Sequence, residues 1–343
     1  LTMYTSLAGL NYIKGIGAVP MGIGNKNLKW ERTLSANLGL DLTMFKGRWD
    51  FSADVYVKNT DNLLLDITKA PSLGITTSRE NVGEVENHGF EFQTRVIPIK
   101  NKDWEWSLSL NYAYNKNKIK KISNALREQN EKNQAKGGVT PLPIYEEGQS
   151  LTALKVVSSA GIDPITGNEV FIKRDGSLTF VYDPNDKVVY GDTTPFGMGS
   201  IGSYLTYKQF SMGMSMRYSF GGAVYNQTLA TKVEGADPRY NADERVFSSR
   251  WKEVGQQAKY KRISDSSVPM QTSRFVETNN YITLSSLSLA YEVPLTFIKR
   301  YGLKRLHLEM LANDLFYLSS VKRERGLSYP YERSVEFSVR LGF

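Results

Sequence analysis

The sequence predicts an all-β chain, a run of antiparallel strands from the wall of a transmembrane β-barrel. Three observations predict it. Several segments of ten or so residues alternate strictly between apolar and polar side chains, the period of a strand with lipid on one face and water on the other. The connections between those segments are short and long by turns, as in outer-membrane barrels with tight periplasmic turns and long extracellular loops. The last strand, 333–343, puts Val335, Phe337, Val339, Leu341 and Phe343 on one face and Glu336, Ser338, Arg340 and Gly342 on the other. A soluble sandwich also alternates, but it has no reason to sort its loops by length.

The elements follow in order. Residues 1–29 are Gly-rich and irregular and read as an extracellular loop. Leu34, Ala36, Leu38, Leu40, Leu42 and Met44 then alternate with polar residues, Lys46-Gly47 makes a tight turn, and Trp49, Phe51, Ala53, Val55 and Val57 return. A long loop near 60–87 precedes strands 88–99 and 104–118, joined by Asn101-Lys102-Asp103. A second long loop, 119–197, precedes strands 198–208 and 209–220, whose Met212, Met214 and Met216 are read as facing lipid. A third, 221–278, precedes strands 279–293 and 304–318, which turn around Pro294. A fourth, 319–332, leads to the end. Trp30, Trp49, Trp104, Tyr218 and Tyr317 lie near strand ends, where interface girdles sit. The count is nine strands. With the C-terminus in the periplasm, that places Leu1 outside the cell.

Composition narrows the class. The 343 residues contain no apolar run of the roughly 18 needed for a transmembrane helix. There is no cysteine, so there is no disulfide framework or zinc–thiolate site. The net charge of +8 reads as solvated loops or as a rim facing anionic lipid headgroups. No helix or motif gathers the basic residues as nucleic-acid binding requires. The chain starts at Leu1 without a signal sequence, so a C-terminal piece of a longer exported polypeptide is expected.

Four stretches carry a family resemblance. Asn27-Leu28-Lys29-Trp30-Glu31, with Lys26 where Pro is usual, opens a strand; Asn81-Val82-Gly83-Glu84-Val85-Glu86-Asn87-His88-Gly89-Phe90-Glu91 is the most specific. Gly161-Ile162-Asp163-Pro164-Ile165-Thr166-Gly167 is a loop motif. Lys322-Arg323-Glu324-Arg325-Gly326 and Tyr329-Pro330-Tyr331-Glu332-Arg333-Ser334 precede the last strand. Together they resemble the SusC/RagA family of TonB-dependent outer-membrane transporters. The closing Phe343, with Val339 and Leu341, resembles the C-terminal signal of outer-membrane barrels. The resemblance implies a barrel of twenty-two strands of which these are the last nine, a plug domain supplied from upstream, and a SusD-like surface lipoprotein as lid. It implies import driven by TonB, ExbB and ExbD, with no cofactor or metal, and transporter–lid pairs that form dimers.

Alternation places Asp41, Asp54, Arg95, His307, Glu309 and Arg340 on the lumen face, as candidates for hydrogen bonds to the plug. His88 and His307 are the only histidines and read as lumen residues rather than as a metal or catalytic pair. Asp163, Asn168 and Asp175 lack the EF-hand spacing, which favours Asx turns. The basic run Lys116–Lys136 reads as solvated loop or rim, with lipopolysaccharide contact the sharper alternative. Tyr145, Phe171, Tyr182, Tyr190 and Phe196 suit either sugar stacking or loop packing. The leading expectation is an importer of oligosaccharides or oligopeptides. The alternatives are a passive porin or adhesin barrel, a soluble glycan-binding protein, or a barrel enzyme, for which no Ser/His/Asp constellation emerges.

Overall fold

The computed structural model describes residues 3–12, 15–22, 24–69, 71–237, 239–240, 242–324 and 333–343. The strands are β1 (Met3–Tyr12), β2 (Gly15–Gly22), β3 (Arg32–Met44), β4 (Trp49–Thr68), β5 (Thr77–Lys100) and β6 (Trp104–Ile122). Helix α1 (Asn124–Ala135) follows, then β7 (Ala153–Ile162), β8 (Glu169–Ile172), β9 (Leu178–Thr179), β10 (Lys187–Asp192), β11 (Gly197–Tyr207) and β12 (Phe210–Tyr225). The chain ends with α2 (Arg245–Ser248), β13 (Val276–Glu292), α3 (Leu295–Ile298), β14 (Arg305–Ser319) and β15 (Ser334–Gly342).

Nine strands form one antiparallel sheet in the order β15-β14-β13-β12-β11-β6-β5-β4-β3, as the alternation predicts. The barrel is not closed within this chain, because β3 and β15 are both edges. The register carries polarity across the whole sheet. Thr43, Asp50, Arg95, Ser109, Gly202, Ser215, Ser286, Asn313 and Ser334 lie side by side across nine strands. The next row, Leu42, Phe51, Thr94, Leu110, Ile201, Met216, Leu284 and Phe316, takes the opposite face, with register shifts on β13 and β14. A one-residue slip anywhere would turn polar groups into lipid, so the alternation itself fixes the register.

The structure corrects several expectations. Most of the 60–87 loop is strand, since β4 runs to Thr68 and β5 starts at Thr77. Alternation is lost there because Leu63 and Leu65 pack on a core of Ile67, Val82, Ile119, Ile122 and Leu126, and β-bulges interrupt the ladder beside Leu63. The basic run is not loop either: its first part continues β6 and the rest is α1. Ser123 caps this helix, accepting from the Leu126 amide at 3.2 Å, and Leu126 anchors it in the core. Within 1–29, β1 and β2 pair as a hairpin in a sheet of their own. The turn around Pro294 carries α3. Tyr317 lies on the polar face, opposite Thr283, because a register shift between Leu284 and Ser286 reverses the parity of β14 there. His88 lies in register with Val57 and Lys116, on the Phe90 face, opposite to the one expected. Of the 319–332 loop and its family motif, residues 325–332 lie outside the described residues.

Candidate functional site

The polar face gathers the candidates into two groups. At one edge Asp41 accepts from Ser52 at 2.6 Å and Asp54 accepts from the Asn37 amide at 3.1 Å. Arg95 stands beside Asp50 in the ladder and is exposed. At the other edge an ion-pair chain runs across three strands. Glu292 bonds Arg305 at 2.8 Å and His307 Nδ1 at 2.9 Å, His307 Nε2 lies 3.9 Å from Glu309, and Glu309 pairs with Arg340 at 3.0 Å. The structure therefore brings His307, Glu309 and Arg340 together and leaves Asp41, Asp54 and Arg95 at the far edge.

The two longest connections, after β6 and after β12, fold together at the end of the sheet away from the short turns. One contributes the four-stranded sheet β10-β7-β8-β9. The other contributes Ala230, Val233 and Tyr260, which pack with Phe275 into a core that Val139 joins from the first connection. The Val157 amide donates to the Gln271 carbonyl at 3.2 Å, and the Ser159 amide to Ser273 Oγ at 3.0 Å. We call this unit the loop module.

Three buried cations hold it. The Arg274 guanidinium bridges Glu169 on β8 and Glu234, making four bonds of 2.7 Å, and donates to the Lys259 carbonyl at 2.8 Å. Its side chain is 10% exposed and the carboxylates 4% and 1%. The planar fork suits this bidentate geometry. Arg250 donates to the carbonyls of Val233, Glu234, Val246 and Lys261. Lys187, 1% exposed, donates to the carbonyls of Asn133, Gln134 and Lys136 at 3.1, 3.0 and 2.9 Å. It thus neutralises the negative C-terminal end of α1. In the sequence such loop charges read as solvated. A lone Arg or Lys in a patternless segment gives no sign of the acceptors that folding brings to it.

Burial pulls Lys187 down to about 8. Between about 8 and about 10.4 the unfolded lysine holds a proton that the folded one has lost, so module stability rises with pH across that window and is reduced below it. A Val156→Cys probe, buried on the strand paired with β10, should become better protected from thiol labelling as pH rises from 8 to 10. The gain should be at most about tenfold per pH unit after normalisation to an exposed cysteine, and Lys187→Met should flatten it. A flat profile for the native lysine would contradict the assignment.

The family motifs have structural reasons. Asn81 accepts from the Lys29 amide at 2.8 Å and donates to the carbonyls of Lys29 and Asn62 at 2.9 and 2.8 Å, so the first two motifs hold each other. Asp163 is an Asx turn: it accepts from the Ile165 and Thr166 amides and from Thr166 Oγ1. The Thr166 hydroxyl bond and those amides hold its carboxyl below the usual range. Trp251 Nε1 donates to the Pro164 carbonyl at 2.9 Å, and its ring covers Gly167, docking this turn onto the second connection. Of the loop aromatics, Phe171 and Tyr182 pack edge to face at 5.5 Å, while Tyr190 and Phe196 are exposed.

Such a sheet, with one apolar and one polar face, short turns at one end and a folded module at the other, defines a segment of transmembrane β-barrel wall. Residues 3–309 match the protein-family model described as TonB dependent receptor-like, beta-barrel. The chain belongs to that family, one of receptors and transporters. It is 30% identical over 318 residues to TonB-dependent receptor P3 of Formosa agariphila, covering 87% of this chain and 31% of that protein. It is 31% identical over 218 residues to TonB-dependent receptor SusC of Bacteroides thetaiotaomicron, covering 61% and 21%. The solved RagAB peptide transporter shares the fold, with a TM-score of 0.78 at 21% identity over 94% of this chain and 35% of that one. The chain thus spans about a third of the length of P3 and of the RagAB chain.

Proposed function

We propose that this chain forms part of the wall and outer loops of an outer-membrane importer of oligomeric nutrients, oligosaccharides or oligopeptides. The observation that carries the reading is the continuous polar row across nine strands beneath a preformed loop module, in a member of the TonB-dependent receptor family. Short turns lie in the periplasm and long connections outside the cell. The upstream part of the receptor supplies the remaining strands, the plug and the contact with TonB–ExbB–ExbD. The polar face, including Asp41, Asp54, Arg95, His307, Glu309 and Arg340, holds the plug, and a SusD-like lipoprotein covers the loops. A paired barrel wall suits this role because it satisfies its backbone groups in lipid without an edge. The protein named RagAB transports peptides, which supports an oligomeric substrate here.

The test is growth of a strain lacking the full receptor gene on defined oligosaccharides and oligopeptides, with and without TonB. Import predicts loss of growth on one substrate class, and the same loss when TonB alone is removed. Uptake that persists without TonB would mean a passive porin, and an unchanged strain would refute the reading.

Val339, Leu341 and Phe343 all lie exposed on the apolar face, which supports their reading as an assembly signal at the end of β15. Deleting Phe343 is expected to lower the amount of heat-modifiable barrel in outer membranes several-fold while synthesis is unchanged. Normal assembly of the truncated receptor would remove that role.

A further inference from the structure

The apolar face carries a feature that a plain lipid-facing wall does not need. At the short-turn end of β11–β15, Leu205, Met212, Leu289, Leu308, Met310 and Val339 line a groove of about 470 Å³. Tyr207, Phe210 and Tyr291 frame its end, the last two rings 4.4 Å apart. Past the rings the chemistry changes. Lys208 in the β11–β12 turn and Lys299, Arg300 and Lys304 in the β13–β14 connection are all exposed. The two connections adjoin, because the Glu292 amide donates to the Gln209 carbonyl at 2.9 Å. The Lys208 ammonium lies 5.3 Å over the Tyr207 ring, and the Arg300 guanidinium 4.8 Å over the Tyr301 ring. Glu292, the acid ending β13, is engaged by Arg305 and His307. Leu295, Phe297 and Tyr301 are exposed beside these cations.

We infer that this groove is a discrete site for an acidic phospholipid of the leaflet at the short-turn end. An acyl chain lies along Leu289, Leu308 and Met310, and the phosphate sits among Lys208, Lys299, Arg300 and Lys304. Hydrocarbon fills the groove for the same reason that it wets the rest of this face, and aromatic rings mark the headgroup level. Selectivity comes from the cations, each favouring an anionic over a neutral headgroup by about fivefold. Among the described residues the one acid beside Lys208 is Asp103, whose carbonyl accepts from the Lys208 amide at 2.8 Å, so Lys208, Lys299, Arg300 and Lys304 leave the mouth net positive. The site would hold the periplasmic end of this part of the wall at a fixed depth. The inference rests on the membrane-spanning reading of the sheet and on its proposed orientation, and it is independent of what is transported.

The test uses the full-length receptor in mild detergent, delipidated, with phosphatidylglycerol or phosphatidylethanolamine of identical acyl chains added and binding read by native mass spectrometry. The first phosphatidylglycerol should bind at least about fivefold more tightly than phosphatidylethanolamine. Combined Lys208→Gln, Lys299→Gln, Arg300→Gln and Lys304→Gln changes should bring the two lipids to parity. Leu289→Trp, which fills the groove, should remove the first adduct of either lipid. Equal binding by the unmodified receptor overturns the proposal without needing any variant, as does a preference that survives loss of the four cations. Extraction of the receptor without detergent would instead refute the membrane reading.

Discussion

Replacing Arg274 with alanine is expected to unfold the loop module while the barrel wall stays assembled. The change leaves Glu169 and Glu234, 4% and 1% exposed, facing each other with their guanidinium gone. Removing one partner of a buried ion pair typically costs about 3–5 kcal/mol, because the remaining charge is uncompensated. The cost falls on the module alone, since the three residues join its two connections and none lies in the nine-stranded sheet. The native chain has no cysteine, so a single Ala230→Cys, fully buried in the module core, reports opening by thiol labelling. Labelling should accelerate by about two orders of magnitude or more in the Arg274→Ala background, while heat-modifiability of the barrel is unchanged. Arg32→Ala is the contrast. Its pair with Asp61 is exposed and should be worth under about 1 kcal/mol. An Arg274→Ala module that stays as closed as the native one would show that the clamp does not hold the connections together.

Gly89→Val is expected to block assembly of the wall itself. Tyr56 on β4 lies across Gly89 on β5, and its hydroxyl reaches Asn115 Oδ1 on β6 at 3.2 Å. One phenol thus spans three strands on the polar face through a slot that only a missing side chain provides. A Cβ on residue 89 would lie 2.7 Å from the Tyr56 hydroxyl and 2.2 Å from the Tyr114 carbonyl oxygen. The ring can swing away, but the carbonyl belongs to the neighbouring strand's backbone. Overpacking of this kind costs about 1–3 kcal/mol or more, and here it opens the ladder between β5 and β6. The heat-modifiable form of the full receptor should fall sharply in outer membranes. Adding Tyr56→Ala should recover only part of it, because the carbonyl contact remains. Full recovery by Tyr56→Ala would assign the whole effect to the ring, and normal assembly of Gly89→Val would refute the slot.

Much of this architecture is legible in one dimension. A strand in lipid must alternate, and an uneven partition of loop lengths follows from having turns at one end. The nine wall strands and the face of Asp41, Asp54, Arg95, His307, Glu309 and Arg340 could therefore be read from residue order. The face of Tyr317 is not legible because a bulge reverses parity without leaving a mark in composition, and the extension of β4 is not legible because Leu63-Leu64-Leu65 does not alternate. The motif around Asn81–Glu91 could be recognised by likeness, while its physical reasons, the Asn81 clamp on Lys29 and the Gly89 slot under Tyr56, lie in contacts between strands. The loop module could not be read at all. Its stability depends on Arg274 meeting Glu169 and Glu234 from residues 105 and 40 positions away, and on Lys187 reaching the end of α1. Periodicity records which face a side chain takes when the environment is uniform along a strand. Partners drawn from distant loops obey no period, and only the tertiary structure decides them.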